Sequence, residues 1–412
     1  MPSSDIKFDS HARSAERVTM LSTLAAYPKV AGAKIVSIEH FRVAPRWLLV
    51  KIATEDGAVG WGEASLEGHA EAVEGGLASL RDRLLGTDSD RIEDAWQVAY
   101  RGGFYRGGPV LSSAASGVDQ ALWDLKGKRF GVPVWQLLGG RVRDKIEVYS
   151  WIGGDGLDPL VDAAKLRLSQ GFRAIKMNGT AEIKWLDSTR ALDLVLERFA
   201  TVKALGLEVA IDFHGRLHKA MAKQLACALQ PLKPMFIEEP LLSENVEGLR
   251  QLSQLTSVPI ALGERLYSRW DFKEFLSQGI IDVVQPDPSH AGGISETRRI
   301  AAAAEAYDVG FAPHCPLGPL AFASCLQLAA AVPNFMIQEM PIGIHYNSAD
   351  ADLLTYVKNK DVFAISGGHV AIPTGPGLGV IIDEEAVLAA SRDAHTWRSP
   401  VWRNPDGGVT EW

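Results

Sequence analysis

From residue 148 onward, short apolar runs recur every 25 to 35 residues or so, and helix-patterned stretches separate them. The runs cover residues 148–152, 174–178, 209–213, 235–238, 260–264, 282–285, 310–313 and 335–339. The helical stretches include 160–170, 188–205 and 294–307. Strands joined by such long helical connections run parallel, because each crossover returns the chain to the same end of a sheet. Eight of them at an even period predict closure into a (β/α)8-type barrel. An open doubly wound sheet would share the alternation, but no G-x-G-x-x-G follows a first strand.

The region before this repeat has another rhythm. Residues 34–42, 47–54 and 58–63 read as strands, with Asp56-Gly57 as the hairpin turn between the last two. Residues 68–131 then carry apolar positions at helical spacing. Strands followed by helices make an α+β unit. The expected division is a disordered extension over 1–33, an α+β cap over 34–147, the barrel over 148–374, and a loop-rich segment over 375–412. That last segment holds Trp397, Trp402 and Trp412 and is expected to pack back on the cap.

Charge narrows the function classes. Lys plus Arg number 42 against 50 Asp plus Glu, a net charge of −8, without the basic patch that phosphate neutralisation requires. Nucleic acid is therefore not an expected partner. No apolar run approaches the roughly 20 residues that span a bilayer. The first thirty residues mix acids and bases, unlike a signal or transit peptide. Three cysteines, Cys227, Cys315 and Cys325, suit a reducing compartment, so a cytoplasmic location is expected.

In a barrel the C-terminal ends of the strands face the active site. Here those ends read Asp212-Phe-His214, Ile237-Glu238-Glu239, Gly263-Glu264-Arg265, Gln285-Pro-Asp287, Pro313-His314-Cys315 and Gln338-Glu339. Asp212, Glu238 and Glu264 are 26 residues apart, which predicts equivalent points on three successive strands. Singly, each is best read as a carboxylate paired with a Lys or Arg. Together they make a hard-oxygen site suited to Mg²⁺. Alternation along a strand would aim His214 into the cavity that Asp212 faces. Asp287 is placed to orient His314 and raise its basicity. A Cys315/His314 nucleophilic pair is a poorer reading, since adjacent strand residues face opposite ways. Lys176 reads as a salt-bridge partner beneath the carboxylates, and Asn178 offers hydrogen bonds but no second base.

These strand ends, a leading cap and a returning tail resemble the enolase superfamily, in its mandelate-racemase-like subgroup. Residues Lys176-Met-Asn-Gly-Thr180, Asp212-Phe-His-Gly-Arg216, Phe236-Ile-Glu-Glu-Pro240, Ser289-His-Ala-Gly-Gly293, Ala312-Pro-His-Cys-Pro-Leu-Gly-Pro319 and Gly343-Ile-His-Tyr-Asn347 are similar to the D-galactonate dehydratases within it. So are Pro45-Arg-Trp47, Phe104-Tyr-Arg-Gly-Gly108, Val134-Trp-Gln-Leu137 and Glu411-Trp412. The resemblance implies a modified TIM barrel, (β/α)7β, with an N-terminal α+β capping domain, in a homo-oligomer. It implies Mg²⁺ on Asp212, Glu238 and Glu264. It makes His314, paired with Asp287, the general base and His214 the general acid, with Glu339 hydrogen-bonding the substrate carboxylate. The expected reaction is β-elimination of water from D-galactonate, a small-molecule sugar acid, giving 2-keto-3-deoxy-D-galactonate. Arg46, Trp47, Tyr105, Arg106, Lys176 and Asn178 are the candidates for binding it. The competing expectations are the same dehydration of another aldonate such as D-gluconate, a sugar-acid epimerase or racemase, and a non-catalytic binding protein.

Overall fold

The computed structural model describes residues 32–153, 156–179, 183–344, 351–393, 395–404 and 406–411. The expected extension over 1–33 lies outside them except for its last two residues, as do Thr180, His345, Tyr346, Asn347 and Trp412 of the quoted motifs.

The cap opens with an antiparallel sheet of β1 (Ile35–Val43), β2 (Trp47–Thr54) and β3 (Val59–Glu63). Gly57, at φ 82°, makes the tight turn between β2 and β3 that the Asp56-Gly57 pair predicts. Three helices follow: α1 (Ala70–Leu84), α2 (Ile92–Arg101) and α3 (Gly108–Phe130). Helix α3 lies directly on β3. A side chain at Gly60 or Gly62 would run into its backbone at Ala121 and Gly117, so both positions need glycine.

The short helix α4 (Val134–Leu137) leads into the barrel. Its strands are β4 (Lys145–Ile152), β5 (Ala174–Asn178), β6 (Glu208–Asp212), β7 (Ile237–Glu238), β8 (Ile260–Leu262), β9 (Val283–Val284), β10 (Gly310–Phe311) and β11 (Gln338–Glu339). They pair in parallel from β4 to β10 in chain order. A bridge from Phe311 to Phe335 and the pairing of β11 with β4 close the ring. One helix separates each strand from the next: α5 (Leu157–Ser169), α6 (Thr189–Lys203), α7 (Lys219–Leu229), α8 (Val246–Ser253), α9 (Arg269–Ser277), α10 (Gly293–Glu305) and α11 (Pro319–Ala331). Among the described residues, eight strands and seven helices make the barrel (β/α)7β. After β11 a hairpin, β12 (Ile365–Ser366) and β13 (His369–Ala371), pairs onto the outer part of β4. Helix α12 (Glu384–Ser391) then packs against β1 of the cap, and residues beyond it reach the barrel loops around Trp185 and His218.

The barrel interior explains where its polar groups emerge. Tyr149, Ala174, Ala210, Phe236, Ala261, Val283, Ala312 and Ile337 form a buried internal layer. Two residues further along the same strands come Lys176, Asp212, Glu238, Gln285, His314 and Glu339. Strand alternation therefore aims all six into the barrel's C-terminal mouth. Among the described residues no helix is long and apolar enough to cross a membrane.

Candidate active site

The mouth of the barrel and the cap above it enclose a cavity of about 260 Å³. Lys176, Asp212, His214, Arg216, Glu264, Arg265, His314 and Glu339 line it from the barrel, and Arg46 and Glu67 from the cap. That volume is below the roughly 300–1,000 Å³ typical of drug-sized sites, so it suits a small metabolite.

At the floor, Lys176 Nζ lies 2.6 Å from Glu238 Oε1, 3.1 Å from Glu339 Oε1 and 3.7 Å from Asp212 Oδ2. Gln285 donates from Nε2 to the other oxygen of Glu238 at 2.6 Å. Burial is the main reason that Asp212 is pushed up to about 7 and Glu238 to about 8. Lys176 opposes it, and repulsion from neighbouring carboxylates adds to it. The donor set is all carboxylate oxygen, and it carries more negative charge than one lysine neutralises. A divalent cation fits those residues, because it would supply the charge that keeps them ionised.

The equal spacing of the three carboxylates does not translate into equal register. Asp212 pairs with Glu238, but Glu238 pairs with Ala261, three residues before Glu264. Neighbouring barrel strands are staggered, so one sequence interval gives different heights. Glu264 reaches the pocket because Gly263, at φ 150°, redirects the chain; a Cβ there would strike the Gln285 backbone.

His214 also arrives by a route other than strand alternation. Strand β6 ends at Asp212, and His214 sits in a left-handed turn at φ 51°. Its backbone N–H donates to Asp212 Oδ1 at 2.7 Å, and its Nε2 lies 3.0 Å from Asp212 Oδ2. Asp212 therefore fixes both the turn and the ring. Burial, with Arg216, Lys176 and Arg265 nearby, lowers His214 to about 3 against the pull of Glu264, so its ring is neutral.

His314 stands at the other end of the carboxylate row. Its Nδ1 is 2.9 Å from Asp287 Oδ2, and its Nε2 is 3.0 Å from Glu264 Oε2. Burial works against its charge, yet the two carboxylates overcome it and hold His314 well above the ordinary imidazole range. Asp287, His290 and His314 also bring ligand atoms within 4.8 Å of one another. The direct Asp287–His314 hydrogen bond and the nitrogen-rich set suit an oriented base better than a hard cation. Cys315 is fully buried beside His314, and its N–H donates to Glu339 Oε2 at 2.9 Å.

Of the substrate-binding candidates, Arg46 and Lys176 line the pocket. Trp47, Tyr105, Arg106 and Asn178 are not among its described lining residues. Trp47 is fully buried, edge-on to Tyr356 in the apolar core. Tyr105 is 86% exposed, packed on Phe104 in a loop that positive-φ Gly107 and Gly108 turn outward. Arg106 lies over Tyr100, and Asn178 is buried at the end of β5. Sequence reasoning passed over Glu67, Arg216, Arg265 and His290. His290 Nε2 is 3.6 Å from Glu67 Oε2, and Arg46 Nη1 is 3.7 Å from Glu67 Oε1. These two partners hold Glu67 down to about 2 against its burial. The adjacency of Arg265 to Glu264, and of His290 to the Asp287 turn, were the available signals.

Known proteins place this architecture. The Enolase C-terminal domain-like family matches residues 159–386. The mandelate racemase / muconate lactonizing enzyme N-terminal domain matches residues 33–139. The D-galactonate dehydratase of Variovorax paradoxus is 51% identical over 382 residues, 92% of this chain and all of that protein. The D-galactonate dehydratase of Pectobacterium atrosepticum is 52% identical over the same shares. An enolase from Agrobacterium radiobacter, solved with sodium and L-malate bound, superposes with a TM-score of 0.84 at 32% identity, covering 92% of this chain and 99% of its own. The chain belongs to the mandelate racemase / muconate lactonizing enzyme family of the enolase superfamily.

Proposed function

We propose that this chain is a hydro-lyase that dehydrates D-galactonate to 2-keto-3-deoxy-D-galactonate. One observation carries the reading. Two histidines, His314 and His214, line a single small pocket at the two ends of the carboxylate row, each with its Nε2 3.0 Å from an end carboxylate, Glu264 and Asp212 respectively. The full-length identity to D-galactonate dehydratases supports the choice of sugar acid.

The chemical difficulty is a proton α to a carboxylate, which is a very weak acid. Asp212, Glu238 and Glu264 would hold Mg²⁺, which, when bound, offsets the charge that builds up on the substrate carboxylate as that proton leaves. His314, aligned by Asp287, takes the C2 proton in its neutral form, which a cation held by Glu264 would favour by offsetting the carboxylate charge that raises the imidazole. Lys176 keeps Glu339 in place, and Glu339 hydrogen-bonds the substrate carboxylate. Hydroxide is a poor leaving group, so His214 passes a proton to the C3 hydroxyl and water departs. The neutral ring of the free protein gains that proton more readily once an anionic substrate lies beside it. The resulting enol tautomerises to the 2-keto acid. Racemisation ordinarily needs a base on each face of C2, and Asn178 cannot serve as one. The reading extends to a homo-oligomer working in the cytoplasm, supported by the family resemblance and the sparse free cysteines.

A panel of aldonates with Mg²⁺, assayed for 2-keto acid, tests the proposal. D-galactonate should be the best substrate, with turnover lost in excess chelator and in Asp212→Asn. Full activity in chelator after dialysis overturns the metal assignment, and preference for another aldonate overturns the substrate.

A further inference from the structure

The C-terminal segment crosses the pocket mouth with two tryptophans, and each faces an arginine of the pocket wall. Arg46 Cζ lies 5.2 Å from the Trp397 ring centre, and Arg216 Cζ lies 4.4 Å from that of Trp402. Arg46 comes from the cap, between β1 and β2, whereas Arg216 follows the His214 turn of the barrel. Ser399, between the two tryptophans, itself lines the pocket. The segment has its own ties to the cap: Arg398 Nη2 is 2.7 Å from Glu71 Oε1, and Arg42 Nη1 donates to Thr396 Oγ1 at 2.7 Å. One short strap thus spans the two domains and touches a cationic side chain on each.

We propose that two tryptophans of this strap position the substrate-binding arginines: Trp397 and Trp402 hold Arg46 and Arg216 so that both guanidiniums face the distal hydroxyls of the sugar acid. The inference rests on the acid-sugar reading above. Chemistry at C1 to C3 fixes one end of the substrate at the strand-end carboxylates and the two histidines. Its C4 to C6 end must then extend toward the mouth, where the two arginines lie. An unrestrained arginine side chain has rotamer entropy that hydrogen bonding to a ligand would have to overcome. Packing the flat guanidinium on an indole face restricts it beforehand without using its in-plane N–H groups, and Glu67 Oε1 and the Pro316 carbonyl hold Arg46 further. Trp397 and Trp402 are positioning residues, since neither is among the described residues lining the cavity.

The test uses the full chain with Mg²⁺ and compares Trp397→Leu, Trp402→Leu, Trp397→Phe and Trp402→Phe. Val401→Ala, altering a 70% exposed side chain in the same strap, is the control. Cation–π packing of this kind predicts a KM for D-galactonate raised roughly 3- to 30-fold in each Leu variant. The kcat should change less, the Phe variants should recover most of the loss, and the control should match wild type. Competitive inhibition by glycerate, which lacks C4 to C6, should keep its inhibition constant throughout. An unchanged KM in both Leu variants, Phe variants as poor as Leu, or an equal weakening of glycerate binding would each overturn the strap's role. A wild-type chain that turns over no acid sugar removes the dehydratase reading, and the strap's role with it. An active wild type with unaltered Leu variants removes the strap alone.

Discussion

The two walls of the pocket are built differently. The wall that carries His314, Asp287 and His290 is pinned from above by buried cap residues. Glu63 accepts from the N–H groups of Gly318 and Ala321, just past His314, at 2.8 and 3.0 Å. Gln120 donates to Pro288 O and to Ser289 Oγ, and Ser113 hydrogen-bonds His290. Asp119 accepts from the N–H of Ser295 in the first turn of α10. The wall that carries His214 and Arg216 has a left-handed turn, an Arg265 bond to the His214 carbonyl at 2.8 Å, and an exposed strap. The difference follows the chemistry. Removing a proton from a weak carbon acid needs a base already fixed in position. Protonating a departing hydroxyl needs only one local ring in place, and Asp212 fixes it.

The largest expected effect separates the walls outright. In His214→Asn the base remains, so C2 hydrogen should still exchange with D₂O while dehydration falls by about 10²–10⁴-fold. His314→Asn should abolish both, because it removes the base that starts the reaction. Following C2 deuteration by NMR alongside 2-keto acid formation reads the two steps separately. Exchange retained in His314→Asn and lost in His214→Asn would exchange the roles of the walls.

A smaller effect concerns rigidity. Asp119 is buried and accepts from both the N–H and the hydroxyl of Ser295. Asp119→Ala leaves those donors without it and should cost about 1–3 kcal/mol in urea unfolding. Ser399→Ala, on the strap, should stay within about 0.5 kcal/mol. Similar losses at both sites would mean that the walls are equally fixed.

The contrast also marks what the sequence could disclose. Lys176, Asp212, Glu238, His314 and Glu339 were legible because each lies two residues beyond an inward apolar position on a parallel strand. Asp287 stood out by its spacing from His314. Glu264 and His214 line the pocket, but backbone turns at Gly263 and His214, not strand periodicity alone, aim them there. Trp47, Tyr105 and Arg106 belong to the cap, from which distal carbons of a substrate would be reached, but burial and loop direction decide where they point. Glu67, Arg216 and the cap carboxylates have partners far away in the chain, and periodicity carries no trace of such pairings.

The subtlest expected effect is a pH dependence located in the pinned wall. Burial pushes Glu63 up to about 7 from an ordinary 4.5, against hydrogen bonds from Ala321, Ser65 and Gly318. With a folded value above the unfolded one, the folded state binds more protons between the two. Stability from this group is therefore present below pH 4.5 and is lost as pH rises toward 7. A shift of that size corresponds to at most about 3 kcal/mol. Glu63→Gln cannot titrate, and its amide must set an N–H against a donor, so it carries a constant penalty at every pH. Subtracting wild-type from mutant unfolding free energy cancels all other titrations. That difference should move in the mutant's favour by up to about 3 kcal/mol between pH 5 and pH 8. A difference that is flat, or that moves toward wild type, would mean that the three donors keep Glu63 ionised. The cap would then grip the His314 wall with a full charge at the start of α11, and the contrast between the walls would be sharper still.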